Sequence, residues 1–296
     1  MHKFVVSAMV REANKIYKSA MKKYCVIGYP VKYSLSPRLF NTAFKKAKLS
    51  AKYEFAEVAP GDFGKFMRSF GANFAGANVT IPYKQDVIKY LDKISEEARK
   101  IGAVNVIVNK KGKLIGYNTD VFGAMAALKT GIKSLRGKRA IVLGAGGAAR
   151  AVVYGLKKAG AYVTILNRTL ARAKKLARDF KCEFGGLEDF APCDILINTT
   201  SVGMWPNIKV TPFPDLKKQI ASAQKRPVVM DIIYRPHITK FLRDAKSAGC
   251  RIITGDKMFY AQAAKTFKIW THFYRFRNSD PLTSGGGGAS STSVSP

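Results

Sequence analysis

Histidine and cysteine are scarce in this chain of 296 residues, with three of the first and four of the second. His2, His237 and His272 lie far apart, so a histidine-based triad or metal centre has no local pattern to rest on. Cys25, Cys182, Cys193 and Cys250 form no CxxC pair and stand at no metal-ligand spacing. They read as buried thiols of a reducing, cytoplasmic compartment, not as a disulfide frame or a zinc site. No apolar run approaches the roughly 18 residues a membrane helix needs. The stretch from Phe4 to Val10 is short and soon met by Arg11 and Glu12, a poor secretory signal. Acidic residues are few as well: 19 Asp and Glu oppose 51 Lys and Arg, for a formal charge of +32. A surface of that sign attracts polyanions, so nucleic acid has to be weighed. Yet the bases are spread along the whole chain, and clusters such as Lys45-Lys46-Lys48 and Arg172-Lys174-Lys175-Arg178 have the spacing of solvated helix faces. Basic and aromatic residues interleave most closely from Lys265 to Arg277, including Phe273, Tyr274 and Phe276. There Phe267 and Trp270 read more simply as the inner face of a closing helix than as a base-stacking platform. A generally basic proteome, or an anionic substrate and cofactor, accounts for the rest of the positive charge without a polymer.

What is present is an ordinary globular composition, 47% hydrophobic and 24% charged, on a chain long enough for two domains. Met9, Ala13, Ile16, Tyr17, Ala20 and Met21 share one helical face, which predicts an amphipathic leader helix over 7–23. Tyr24 to Gly28 is an apolar run closed by glycine, a buried parallel strand by pattern. A helix follows Pro37, whose fixed φ suits a first turn. Strands are expected over 52–58 and 76–81, a helix over 84–101, and a hairpin of 103–109 with 113–117. A further helix runs past Asp120 to Thr130. Residues 139–143, a glycine-rich turn, a helix to 158 and residues 162–166 make one βαβ unit. More parallel strands follow at 194–198, 228–232 and 251–253, so the fold class is open-sheet α/β. The last stretch, 281–296, holds four consecutive glycines and cannot bury a core; it is expected to be disordered.

The chemistry is carried by three separated segments. Gly144-Ala145-Gly146-Gly147-Ala148-Ala149 directly follows an apolar strand and opens a helix, matching G-x-G-x-x-A. The first glycine makes the turn, the second admits a pyrophosphate, and the third small residue allows helix–strand contact. The helix N-terminus adds amide donors and positive dipole. At the end of the next strand NAD enzymes usually place an acid on the ribose 2′-hydroxyl, but this chain has Asn167-Arg168-Thr169 with Arg172 a turn later. Guanidinium groups there pair with a 2′-phosphate, so the cofactor reading is NADP. Upstream, Lys84 closes the run Gly76 to Lys84, and Asp120 closes Gly116-Tyr117-Asn118-Thr119-Asp120. A lysine and an aspartate beside a dinucleotide turn suggest an acid–base pair acting on a carbonyl or alcohol while hydride moves.

Along nearly its whole length, from about Tyr24 to Trp270, the chain resembles the shikimate dehydrogenase family. The matching motifs stand in order: Val26-Ile27-Gly28-Tyr29-Pro30 with Ser34-Leu35-Ser36-Pro37; Gly76 to Lys84; Gly102-Ala103-Val104-Asn105; Asn118-Thr119-Asp120; the Gly144 turn; Asn167-Arg168-Thr169; Asn198 to Met204; Asp231 with Tyr234 and Pro236; and Gly255 with Met258 and Gln262. The resemblance implies an NADP-dependent oxidoreductase that reversibly reduces 3-dehydroshikimate to shikimate, in aromatic amino-acid (chorismate) biosynthesis. It implies Lys84 and Asp120 at the reacting carbon and Ser34 and Ser36 on the substrate carboxylate. Thr80, Asn105 and Gln262 would hold ring hydroxyls, with Asn78 and Tyr234 lining the same pocket. Toward the cofactor it implies Gly144, Ala145, Gly146, Gly147, Ala148, Asn167, Arg168, Thr169 and Arg172, with Ile232 and Gly255 on the nicotinamide side. Ser36 also suits a helix N-cap, and Glu96, a possible cofactor contact, suits a solvated helix face better.

Two departures bear on substrate choice. Phe40-Asn41 stands where the family commonly has His-Asn, and Val106 replaces a usual threonine. Relatives accept quinate as well as shikimate, so a quinate or amino-shikimate dehydrogenase is one alternative. A non-catalytic basic protein binding nucleotides or nucleic acid is a more distant one. The expected architecture is a substrate domain over 1–121, completed by a closing helix at 256–280, facing a Rossmann NADP domain over 122–255. The cleft lies between them, in a monomer or a homodimer.

Overall fold

The computed structural model describes residues 21–221 and 225–278. The tail at 281–296 and most of the expected leader helix lie outside the described residues. No helix reaches residue 23, however, because Lys22 and Lys23 already belong to the first strand, β1 (Lys22–Gly28). Val26 and Ile27 are buried in that strand, which explains why the apolar run is strand and not helix.

β1 lies between β2 (Ala51–Glu57) and β3 (Gly76–Val79), parallel to both. Beyond β3 the sheet reverses: β5 (Val106–Lys110) is antiparallel to β3 and to β6 (Lys113–Tyr117), and β4 (Lys93–Ile94) closes the edge parallel to β6. The hairpin turn is Lys111-Gly112, both at positive φ (54° and 87°), the two-residue geometry that matches strand twist. Helices α1 (Ser36–Lys46), α2 (Phe63–Asn73) and α3 (Glu96–Ile101) accompany this sheet.

One expectation fails here. Residues 84–101 are not a single helix but a turn, a 3₁₀ segment at Asp86–Tyr90, β4 and then α3. Asp92 breaks the helix by pairing with the neighbouring strand: its carboxylate accepts from Leu114 N at 2.7 Å and its amide donates to Leu114 O. Ser95 then restarts it as an N-cap, its hydroxyl accepting from Ala98 N.

α4 (Asp120–Lys129) leads to the second sheet, whose order β12-β11-β10-β7-β8-β9 is parallel throughout. Its strands are β7 (Arg139–Leu143), β8 (Tyr162–Leu166), β9 (Glu183–Gly185), β10 (Ile195–Asn198), β11 (Val228–Asp231) and β12 (Ile252–Ile253). Numbered from β7, this is the doubly wound order 3-2-1-4-5-6 of a Rossmann fold, with its switch point between β7 and β10. α5 (Gly147–Lys158), α6 (Leu170–Phe180), α7 (Leu216–Ala221) and α8 (Lys240–Ser247) complete it. Ala124, Ala127 and Leu128 of α4 pack in this sheet's core with Ala149, Val152 and Val153 of α5. The boundary expected at 121/122 therefore falls within the first turn of α4.

The final helix, α9 (Gly255–Asn278), leaves the second sheet and returns to the first. Phe259, Ala263, Phe267 and Trp270 join Tyr24, Phe40, Phe44 and Tyr53 in one core. Trp270 is 3% exposed, and its indole N–H donates to Ile107 O at 3.0 Å. That burial removes Trp270 and Phe267 from any base-stacking surface; the side chains from Phe273 onward lie outside the described residues. Trp270→Phe keeps the ring contacts but leaves the Ile107 carbonyl without this donor, which should cost about 1–3 kcal/mol. Urea unfolding monitored by circular dichroism measures it, and the shikimate affinity should fall with it because α9 also carries Gln262.

Among the described residues no helix is long and apolar enough to cross a membrane, and no group of three His, Cys, Asp or Glu is placed to hold a metal. All four cysteines are free thiols.

Candidate active site between the two sheets

A cleft of about 1050 Å³ opens between the carboxyl ends of the two sets of parallel strands. Lys84 enters it from the turn after β3. Backbone bonds fix that turn: Thr80 N donates to Ile27 O, Tyr83 N to Thr80 O, and Val104 N to Lys84 O. Asp120 enters as the first residue of α4, where the Asn118 side chain takes its amide at 3.0 Å. The Lys84 ammonium donates to Asp120 Oδ2 at 2.5 Å, with side-chain exposures of 13% and 7%. The other carboxylate oxygen accepts from Asn105 Nδ2 at 2.8 Å. Asn105 is held in turn: its carbonyl oxygen accepts from Thr119 N at 2.7 Å, and Thr119 Oγ meets Gln262 Oε1 and Thr266 Oγ from α9. Four segments remote in sequence thus set the position of one buried ion pair. Asn78 lies beside them, accepting from the Tyr53 hydroxyl and donating to Asn105 O.

Farther along the cleft stand Ser34, Ser36, Thr80 and Tyr234. The cap expected from Ser36 is not formed. α1 begins at Ser36 itself, with Leu35 at the N-cap and no side-chain bond, while Ser34 Oγ accepts from Ser36 N at 3.2 Å. Burial pushes the Tyr234 phenol above its ordinary pKa, with Ser34 and Leu35 opposing the shift. It therefore stays a neutral donor across ordinary pH.

On the opposite wall, Gly144 to Ala148 line the cleft where β7 turns into α5. Gly144 has φ +108°, a conformation that side chains rarely adopt. A methyl group at Gly146 would meet nothing within 4 Å, so the turn faces open space, and α5 starts with no side-chain cap on its amides. Asn167, Arg168, Arg172 and Lys175 line the same wall. The set fits a dinucleotide with a 2′-phosphate: open amides for the pyrophosphate, and three cations for the terminal charge.

Ile232 lines the floor, its amide donating to Asn198 O at 3.1 Å. Beneath it Asp231 accepts from Asn198 Nδ2, Ile233 N and Thr239 Oγ1. Burial still pushes its carboxyl up to about 6, against those donors. Thr169 and Gly255 lie outside the lining. At Gly255 an added methyl would come within 2.3 Å of Ile233 O, a close backbone approach. Glu96 pairs with Lys100 at 2.7 Å on an exposed face of α3. Phe40 and Val106 are fully buried and line nothing; Phe40 stacks on Tyr53 at 4.8 Å. Neither departure from the family pattern therefore takes a polar group out of the cleft wall.

The structure adds residues that sequence reasoning did not single out. Arg150 lines the cleft and bridges the sheets, donating to Ile101 O at 2.6 Å and pairing with Asp179 at 2.9 Å. Thr199 fastens the switch point, its hydroxyl donating to Leu143 O at 2.6 Å. Trp205, with Arg235 stacked 5.5 Å over its ring, and Tyr33 stand at the rim. Arg150 is one of 51 basic residues in sequence, with only its place just after the glycine turn to distinguish it.

Comparison with known proteins follows the same geography. Residues 26–107 match the family described as "Shikimate dehydrogenase substrate binding domain", and residues 125–240 the one described as "Shikimate / quinate 5-dehydrogenase". A shikimate dehydrogenase (NADP(+)) of Pyrococcus abyssi is 43% identical over 259 residues, covering 86% of this chain and 94% of its own. The crystal structure of the Thermus thermophilus shikimate 5-dehydrogenase with NADP(H) and shikimate superposes with a TM-score of 0.76 at 34% identity, covering 86% of this chain and 99% of the other. A shikimate dehydrogenase solved with NADP+ gives a TM-score of 0.77 at 37% identity, covering 88% and 96% of the two chains.

Proposed function

The chain belongs to the shikimate dehydrogenase family, and from that premise we propose that it catalyses the NADP-dependent, reversible reduction of 3-dehydroshikimate to shikimate. The observation that carries the residue roles is the buried Lys84–Asp120 contact in a cleft shared with the open glycine turn. Gly144–Ala148 with Asn167, Arg168 and Arg172 would hold NADPH, whose chemistry there would be hydride supply to the reacting carbon. As hydride arrives, negative charge builds on the carbonyl oxygen, and the Lys84 ammonium stabilises it and delivers a proton. Asp120 keeps that ammonium aimed, while Asn105 in turn keeps Asp120 from rotating. In the oxidative direction the amine of Lys84 takes the proton back. Ser34, Ser36 and Tyr234 hold the substrate carboxylate with neutral donors, and Asn78, Thr80, Asn105 and Gln262 read the ring hydroxyls. A buried amide rejects an analogue lacking its hydroxyl because a polar group is then left unpaired.

In this reading residues 1–121 with 256–280 form the substrate unit and 122–255 the cofactor unit. The setting is aromatic amino-acid biosynthesis in a reducing cytoplasm. The second reading is a shared shikimate and quinate activity, favoured by the family description that covers both. Crossing shikimate and quinate with NADP and NAD, and following absorbance at the nicotinamide band, separates the two. Shikimate with NADP is expected to give the highest kcat/KM. Comparable turnover of quinate would select the second reading, and no turnover in any pairing would end both.

A further inference from the structure

We propose that Gly147 is a positioning residue for Lys84: it is glycine to seat the lysine stem, not to admit the nucleotide. The dinucleotide fingerprint requires small residues at 144, 146 and 149 and leaves 147 open. Nor does the backbone demand glycine there, since Gly147 has no positive φ and opens α5 with helical geometry. What demands it lies across the cleft. A methyl group on Gly147 would stand 2.7 Å from Lys84 Cβ, 3.3 Å from Cδ and 3.5 Å from Cγ. Cβ is one bond from the backbone and cannot swing aside as a side-chain tip can. Gly146, one residue earlier, would place its methyl in open space.

The same turn of α5 touches the substrate side a second time. Arg150 holds Ile101 O at 2.6 Å, and a few residues on, Val104 N donates to Lys84 O at 2.7 Å. Lys84 is therefore gripped from both ends by the helix that receives the pyrophosphate: its stem rests on Gly147, and its carbonyl is held by a loop that Arg150 anchors. The ammonium then has one place to go, against Asp120. Seating of this helix and aim of the acid–base residue are one geometric event.

This inference rests on the role given to Lys84, so its test has an arm that needs no turnover. Gly147→Ala is expected to lower kcat for shikimate oxidation by about 10- to 100-fold, the scale of an ångström-level misplacement. NADP binding, measured by calorimetry, should fall by a smaller factor than kcat. Gly146→Ala should do the reverse, weakening NADP binding more than kcat. In thermal melts Gly147→Ala should lower Tm in the native chain but not further in a Lys84→Gly chain, where the colliding side chain is gone. An unchanged kcat, a loss confined to NADP binding, or an equal Tm drop in both backgrounds would overturn the proposal. If the protein fails to oxidise shikimate at all, the melting cycle still reports on the contact.

Discussion

Lys84→Ala is expected to lower kcat for shikimate oxidation by about 10²- to 10⁴-fold, the usual contribution of a positioned acid–base group. The substitution removes the ammonium that contacts Asp120. The neighbouring amide of Asn105 touches Asp120 Oδ1 and Thr119, but an amide N–H is far too weak an acid to deliver the proton. Substrate binding should suffer less, because the carboxylate and the other ring hydroxyls have separate partners. A structural cost comes with it. Asp120 is 7% exposed in its side chain, and deleting its cation leaves a buried charge with hydrogen bonds but no counter-ion. Lys84→Met keeps the stem against Gly147 and adds no charge, while Lys84→Ala in an Asp120→Asn chain removes the stranded carboxylate. All three variants should be nearly inactive, whereas the last should melt above Lys84→Ala alone. Steady-state kinetics with melting curves checks both statements. A kcat within a factor of about two of the native enzyme would remove Lys84 from the chemistry.

Much of this site was legible because its signals are local. The apolar run of β7, the glycine turn and the helix behind it are contiguous, and an arginine where NAD enzymes carry an acid is readable from one position. The pairing of Lys84 with Asp120 was legible only through motif order, since nothing within either segment says that the two meet. Where the reading failed, a long-range bond had overridden a local period. Leu91 and Asp92 sit in a helical pattern, but bonds from Asp92 to Leu114 outweigh the few tenths of a kcal/mol per residue that helix propensity offers. Likewise Ser36 has the residue type and the spacing of an N-cap, yet the chain enters α1 one residue too early for it to serve. Gly147 was read only as part of the cofactor turn, and Arg150 not at all, for a different reason. A glycine in a glycine-rich turn and an arginine in a basic chain carry no mark until the partner across the cleft is known.

The second large effect is expected at the other end of the cleft. Arg168→Ala should raise the KM for NADPH by about 10-fold or more, taking a charge-assisted bond to phosphate as worth about 1.5–3 kcal/mol. It should leave the KM for NADH nearly unchanged, because a ribose hydroxyl gives a guanidinium little to hold. Two considerations set the size. Arg168 is exposed in the protein alone, so its charge is well solvated and removing it should hardly disturb folding. Arg172 and Lys175 line the same wall and share the load, so one deletion underestimates the cluster. Arg168→Ala with Arg172→Ala should therefore lower the NADPH/NADH preference by about 100-fold, near the sum of two such bonds. Added salt should weaken NADPH binding to the native enzyme more than to the double variant, since screening acts only where charge remains. Initial rates over a grid of both cofactors at two ionic strengths measure all of this. A preference ratio unmoved by the double substitution would mean that the 2′-phosphate is recognised elsewhere.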